Sequence, residues 1–444
     1  MLRSSLRIAF ALLVFLAGVA AASQSAFAAH SRSTAQAPAP EQFGAGEMLL
    51  TVDQLVEIAE RENPAVRASR ERWFSAEHSI KQAYAPNDPV FTFFNTDSPS
   101  NPFGKAALQS YNVTESFQFP GKALLQTDQA KRNARIARLT YEAALRDTRA
   151  AVEAGYYQLL LDSALAKVNA ENLDNLNRVL KVTQIAYTAN QATQTDFISA
   201  EFDLAAARQQ QAQYQTSVLN DKTALNQLLN RPPDEPLAID RTLRLEPLKV
   251  RVDSLVDLAW RLRQEILESA LAERNSNTAL FLAKMEYLPD FTVGYQFDDY
   301  LVPNFAPSPS QTQDHSVIVG FNVPIFFWLH QNEDVARAGH DLEAARDDLA
   351  SVRTQTAAAV TSTFRTTQLA YQTALLYRDS LIALSRQDFN VALIAYQSGK
   401  IDFTTLAGAL GRDYAARINY LQAANQFLAG KVALEQTIGA SLPK

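Results

Sequence analysis

SYNVTESFQFPGK, Ser110–Lys122, is the stretch on which the fold turns. Tyr111, Val113, Phe117 and Phe119 alternate with Asn112, Thr114, Ser116 and Gln118, the period-two pattern of a strand with one apolar and one polar face. Glu115 interrupts the apolar face. The run ends at Pro120–Gly121, and a long proline-free stretch of helical character follows.

Three more segments alternate in this way. Val90–Asn95 is the least regular, blurred by Phe91, Phe93 and Phe94. Phe291, Val293, Tyr295 and Phe297 alternate with Asp290, Thr292, Gly294 and Gln296; Val317, Val319, Phe321 and Val323 alternate with Ser316, Ile318, Gly320 and Asn322. The expected strands, about 89–97, 109–120, 289–298 and 315–324, approach the roughly 9–11 residues that a tilted transmembrane strand needs. Apolar-out, polar-in alternation with aromatics is the pattern of a transmembrane barrel. Two soluble amphipathic hairpins packed on helices would read the same way, and Glu115 suits the membrane only near an interface. Asp298–Tyr300 and Val302–Gln313 read as a long extracellular loop.

The chain is written twice. VDQLVEIAER from Val52 aligns without gaps on VDSLVDLAWR from Val252; at the same offset Pro89 meets Pro289 and Phe91 meets Phe291. FQFP (Phe117–Pro120) returns as FNVP (Phe321–Pro324), and AYTANQATQTDF from Ala186 resembles AYQSGKIDF from Ala395. The expected organisation is a first repeat over 48–230, a linker over 231–250 and a second repeat over 251–440. Each repeat holds a short helix, two strands and long helices. A helix from Leu125 to Tyr187 would run about 95 Å at about 1.5 Å per residue. Helices of that length need packing partners, because propensity alone stabilises them poorly. In the last one Phe403, Leu406, Leu410, Tyr414, Ile418, Leu421, Ala424, Leu428 and Val432 form one apolar stripe, without the strict heptad of a simple coiled coil. Pro120 and Pro324 mark the breaks where strand becomes helix.

Arg3 and Arg7, the apolar IAFALLVFLAGVAAA and the small-x-small Ala26–Ala28 read as a secretory signal over 1–28, with a flexible leader over 29–47. The chain has no cysteine, so disulfides, metal thiolates and a lipoprotein anchor are excluded. Its formal charge of -6 and the lack of a basic stripe argue against nucleic acid. Beyond the signal no run of about twenty apolar residues exists, so strands would have to carry any membrane insertion. No nucleophile elbow, phosphate loop or His pair at ligand spacing stands out, so no enzyme activity, metal site or cofactor is expected. Four strands cannot close a barrel, and an open edge in hydrocarbon leaves backbone groups unpaired; two chains would give eight strands around an interior filled mostly by side chains, and three would give twelve around a water-filled bore.

On NPAVRASR (Asn63–Arg70), NDPVF (Asn87–Phe91) and ESFQFPGK (Glu115–Lys122), together with the duplication, the chain resembles the TolC-like outer-membrane efflux factor family, most of all its heavy-metal branch. The resemblance implies a mainly α fold with membrane β: a trimeric twelve-stranded β-barrel in the outer membrane of a Gram-negative cell, continued by a periplasmic α-helical barrel. It implies a passive exit duct, for metal ions or drugs, docked on a periplasmic adaptor and an inner-membrane pump of the resistance-nodulation-division type. Adaptor-contacting tips fall at Ala189, Asn190 and Gln191 and at Ser398, Gly399 and Lys400. A closing bond would join Tyr396 to Asp196. The family's acidic pair beyond the second tip falls near Thr405 and Gly408, with no acid; Asp402 is the nearest carboxylate, a gate residue or a helix N-cap. The rival readings are a periplasmic coiled-coil adaptor and an exported helical enzyme.

Overall fold

Asn63–Pro64 shows how the sequence sets its own element boundaries. The Asn63 side chain accepts from Ala65 N at 2.9 Å, proline takes the first helical position where no N–H is needed, and Asn63 Nδ2 donates to Leu228 O at 3.0 Å. Helix α1 (Val52–Glu62) therefore stops there and α2 (Pro64–Tyr84) starts at once. The computed structural model describes residues 50–95, 108–240, 245–302 and 310–442. The expected signal over 1–28 and leader over 29–47 lie outside them, as do residues 96–97 of the first expected strand.

After α2 come β1 (Val90–Asn95), β2 (Leu108–Phe117), α3 (Lys122–Thr188) and α4 (Gln194–Leu228). The order then recurs: α5 (Val252–Leu262), α6 (Gln264–Met285), β3 (Phe291–Val302), β4 (Ser310–Phe321), α7 (Gln331–Leu376), α8 (Ile382–Gln397) and α9 (Phe403–Ile438). Five residues of π-helix, Tyr377–Leu381, join α7 to α8, so helical backbone runs unbroken from Gln331 to Gln397. Nothing in the hydrophobic pattern marks that turn.

Two strand boundaries differ instructively from the alternation. Asp298, Asp299 and Tyr300 belong to β3, and β4 already begins at Ser310; the expected loop over Val302–Gln313 is strand at both ends, and residues 303–309 lie outside the described set. Ladder hydrogen bonds do not require apolar side chains, so the strands continue past the point where the apolar face stops. β2 stops at Phe117 and β4 at Phe321, each three residues before its proline, and Pro324 does not begin a helix: Ile325–His330 form turns before α7.

The helices pack along their lengths. α3 lies against α2, α4, α6 and α9, and α7 against α5, α6 and α9. Leu55 and Ala59 of α1 are buried with Val152, Leu159, Leu225 and Ile239; their counterparts in the second copy, Leu255 and Ala259, are buried with Val360, Leu434 and Ile438. Each such leucine contributes about 1.5–3 kcal/mol. Alanines bring α7 and α9 together at Ala374, Ala423 and Ala424. At Gly430 the approach is closest, since an added Cβ would lie 2.4 Å from Thr367 Oγ1. A third cluster joins the far ends of α3, α4, α8 and α9 through Leu176, Val179, Leu204, Phe389, Tyr396 and Leu406. Among the described residues no helix is long and apolar enough to cross a membrane.

Candidate functional site

The four strands form one antiparallel sheet in the order β1-β2-β3-β4. Register puts every alternating apolar set on the same side. Phe93, Tyr111, Phe297 and His315 form one row across all four strands; Phe117, Phe291 and Phe321 form a lower row. Ring centroids along the upper row are 5.1, 6.0 and 5.1 Å apart, and the Tyr295 hydroxyl shares a hydrogen bond with His315 Nδ1. Val293, Val317 and Val319 fill the band between the rows and are exposed. Glu115, opposite Val293, stands one pleat inside the lower row and is the charged exception on the apolar face. The other face carries the row Thr92, Asn112, Gln296 and Ser316, with Asn112 Nδ2 donating to Gln296 Oε1 at 3.3 Å. Val90, Phe94, Leu108 and Ile318 are apolar residues on that face. The sheet thus has one mainly apolar and one mainly polar face, and β1 and β4 are its outer strands among the described residues.

Where sheet meets helix, a residue to which the sequence assigned no role proves central. Lys122, the lysine of FPGK, is 2 % exposed. Its Nζ donates to Asp290 Oδ1 at 3.0 Å and pairs with Glu286 at 3.3 Å, while Phe119 N donates to the same Asp290 oxygen at 2.7 Å. Pro120 thus sits inside a clamp fastening the start of α3 to the start of β3. The signal that could have found it is paired punctuation: a lysine just past the end of β2 and an aspartate just before the start of its neighbour β3.

At the far ends of the helices the two tips are the same structure. Asn190 (φ 58°) and Gly399 (φ 68°) take left-handed backbone, which only glycine and a few polar residues adopt readily. Gln191 N donates to Ala186 O at 2.7 Å, and Lys400 N to Ala395 O at 2.9 Å. Thr193 then caps α4 and Asp402 caps α9. Thr193 therefore corresponds to Asp402 and Tyr187 to Tyr396, with no gap, whereas the resemblance of TDF to IDF had paired Asp196 with Asp402. Ala189, Asn190, Gln191, Ser398, Gly399 and Lys400 form the exposed tips, with Ser398 Oγ donating to Ala395 O at 3.0 Å.

The expected gate residues are accounted for differently. Asp196 Oδ2 accepts from Thr193 N at 2.9 Å, completing a capping box, and the Tyr396 hydroxyl is buried with no hydrogen-bond partner among the described residues. No bond joins Tyr396 to Asp196. Asp402 accepts from Thr405 N at 2.9 Å, and its carboxyl is held below the usual range by hydrogen bonds from Thr405. It is an N-cap.

Between tip and sheet lie polar side chains inside the helical packing. A groove of about 480 Å³ is lined by Asn169, Asp203, Gln210, Tyr214 and Tyr414; the Tyr414 hydroxyl donates to Asn169 Oδ1 at 3.1 Å, and Asn169 Nδ2 to Gln211 Oε1 at 2.9 Å. Asp221 faces Asp162 from α4 to α3. Burial, then the Asp162 carboxyl, push Asp221 up to about 7. Glu153 also rises to about 7, by burial and then by Glu435. Among the described residues no group of three or more His, Cys, Asp or Glu could hold a metal ion.

The sequence profile of the family described as outer membrane efflux protein matches residues 55–231 and 255–440. The cobalt-zinc-cadmium resistance protein CzcC of Cupriavidus metallidurans is 20% identical over 391 residues, covering 88% of this chain and 90% of that one. The fold is similar to that of the outer-membrane channel OprN (TM-score 0.74, 18% identity, 88% of this chain and 90% of that one). It is similar also to CusC, whose structures describe transmembrane channel formation (TM-score 0.73, 16% identity, 88% of this chain and 92% of that one). With both copies covered by the profile and a two-faced sheet set above long paired helices, the chain belongs to the outer membrane efflux protein family and is an outer-membrane efflux channel.

Proposed function

We propose that three copies pool their sheets into a twelve-stranded barrel in the outer membrane of a Gram-negative cell. The helices continue it as a duct through the periplasm, and metal ions are the cargo. The observation that carries this is the sheet itself: two chemically opposite faces on four strands, an open sheet with β1 and β4 outermost among the described residues. Each backbone group left bare in hydrocarbon costs several kcal/mol, so the edges have to meet those of other copies. Exposed apolar side chains on the lower helices (Ile185, Ile198, Phe202, Val391 and Ile394) supply further surface for the same assembly. The signal over 1–28 exports the chain. The tips dock on a periplasmic adaptor that joins the duct to an inner-membrane pump of the resistance-nodulation-division type. The metal cargo rests on the FPGK motif and on the similarity to CzcC.

The tips close the duct. A buried hydroxyl without a partner costs about 1–3 kcal/mol, so a closed state in which the Tyr396 hydroxyl donates a hydrogen bond to the Asp196 carboxylate gains stability over the arrangement described above. Asp402 and Thr405 line the constriction, and one Asp402 from each chain makes a ring of charge. Single-channel conductance of the mature protein in a planar bilayer tests both parts. Small, flickering openings that become large and sustained in Tyr396→Phe/Asp196→Ala support a duct latched by that pair. A wild-type channel already wide open discards the latch. No channel from either protein, with helicity intact by circular dichroism, overturns the duct.

A further inference from the structure

The apolar face of the sheet is shorter than the layer it has to cross. From His315 in the upper aromatic row to Phe321 in the lower is about 20 Å along β4 at about 3.3 Å per residue, and strand tilt shortens the height further. The apolar band of an outer-membrane barrel is about 25 Å tall. Something has to extend it at the periplasmic end.

Ile325–Leu329 stands at that place. It follows the lipid-side residues Val319 and Phe321 directly, beyond Pro324, and every residue of IFFWL is exposed: Trp328 is 52 % exposed and Leu329 61 %. The segment is neither helix nor strand, yet its backbone is fastened. Ile325 N donates to Val323 O at 2.8 Å, Leu329 N to Phe326 O at 2.9 Å and Asn332 N to Phe327 O at 2.9 Å. Phe326 and Phe327 meet Trp328 edge-on, with centroids 5.9 and 5.3 Å away, and Phe327 lies 6.4 Å from Tyr287, whose hydroxyl donates to Asn332 at 2.6 Å. Built turns that hold five large apolar side chains out of the protein are costly in water. In the first copy the same junction is Gly121–Lys122, with the lysine buried, so the feature belongs to one copy only.

We propose that Ile325–Leu329 is an interfacial lipid anchor, seated at the headgroup–acyl boundary of the periplasmic leaflet. There the Trp328 N–H reaches polar groups while its ring and those of Phe326 and Phe327 lie in the acyl layer. The inference rests on the outer-membrane reading and adds to it the place and chemistry of the lower girdle.

The chain has three tryptophans, so Trp73→Phe/Trp260→Phe leaves Trp328 as the sole reporter in the full mature protein. It is reconstituted into phosphatidylcholine vesicles brominated either near the headgroup or near the chain terminus. A second protein, with Val319→Trp and Trp328→Phe added, reports on the strand face. The anchor predicts that Trp328 loses most emission to headgroup-side bromine and the residue 319 reporter to terminal bromine. Quenching at 319 with Trp328 untouched overturns the anchor while leaving the membrane reading standing, and assigns the segment to a neighbouring protomer or to water. Deeper quenching at 328 than at 319 also overturns it. Neither site quenched sinks both. If the tryptophan replacements impair folding, Trp328→Cys in this cysteine-free chain carries a nitroxide, whose relative accessibility to oxygen and to a water-soluble nickel chelate reads the same depth.

Discussion

Lys122 is the residue whose removal should be felt most. Its ammonium is buried beneath the sheet against two partly exposed carboxylates, and Asp290 also accepts from Phe119 N. Breaking a fully buried pair from one side costs about 3–5 kcal/mol, and less here, because Asp290 and Glu286, 34 % and 50 % exposed, keep part of their solvation. Lys122→Met should lower stability by about 1–3 kcal/mol, read as the urea midpoint of the detergent-solubilised protein, and Lys122→Met/Asp290→Asn should recover part of it. Asp402 offers the opposite test. Asparagine caps a helix as well as aspartate does, so Asp402→Asn should leave the thermal midpoint unchanged while lowering cation preference in the open channel. A change in neither would remove Asp402 from the pore. Asp402 was legible as a cap from its place after Gly399–Lys400. Lys122 was quoted within FPGK but given no role, because its partners lie far along the chain and no local pattern joins them.

At the scale of elements, the strands were readable because period two survives wherever one face is apolar; they were misjudged beyond the aromatic rows, since at the upper end backbone pairing continues without that signal and at the lower end the alternation through Phe119 and Val323 outruns strands that stop at Phe117 and Phe321. The tips were legible in position and not in bonding, since Asp196 completes its own helix cap instead of reaching Tyr396. Thr193→Ala should therefore cost about 0.5–2 kcal/mol of local stability, seen as faster hydrogen exchange in the first turn of α4. The π-helix at Tyr377–Leu381 was not legible at all. Close helix packing could be foreseen from alanine content, and Gly430 is its sharpest point: Gly430→Val drives side-chain atoms into Thr367 and should destabilise by about 1–3 kcal/mol, measured by thermal unfolding.

Across the whole molecule, acidity and stability run together. Asp221, facing Asp162, and Glu153, facing Glu435, Asp53, Arg149 and Lys431, have carboxyls raised to about 7 in the folded chain. A raised carboxyl pKa means that the folded state holds a proton more tightly than the unfolded one, so the stability gained at low pH disappears as pH rises through about 7. The thermal midpoint should rise on going from about pH 8 to about pH 5, and Asp221→Asn should flatten part of that rise. The duplication and the two-faced sheet were legible because both follow from periodicity; the proposal of several chains follows from the cost of an open sheet edge. That edge also has a genetic consequence. If no chain can finish its wall alone, a copy spoiled at β1 or β4 still joins and spoils its companions, so such an allele should be dominant over the wild type in a cell that expresses both.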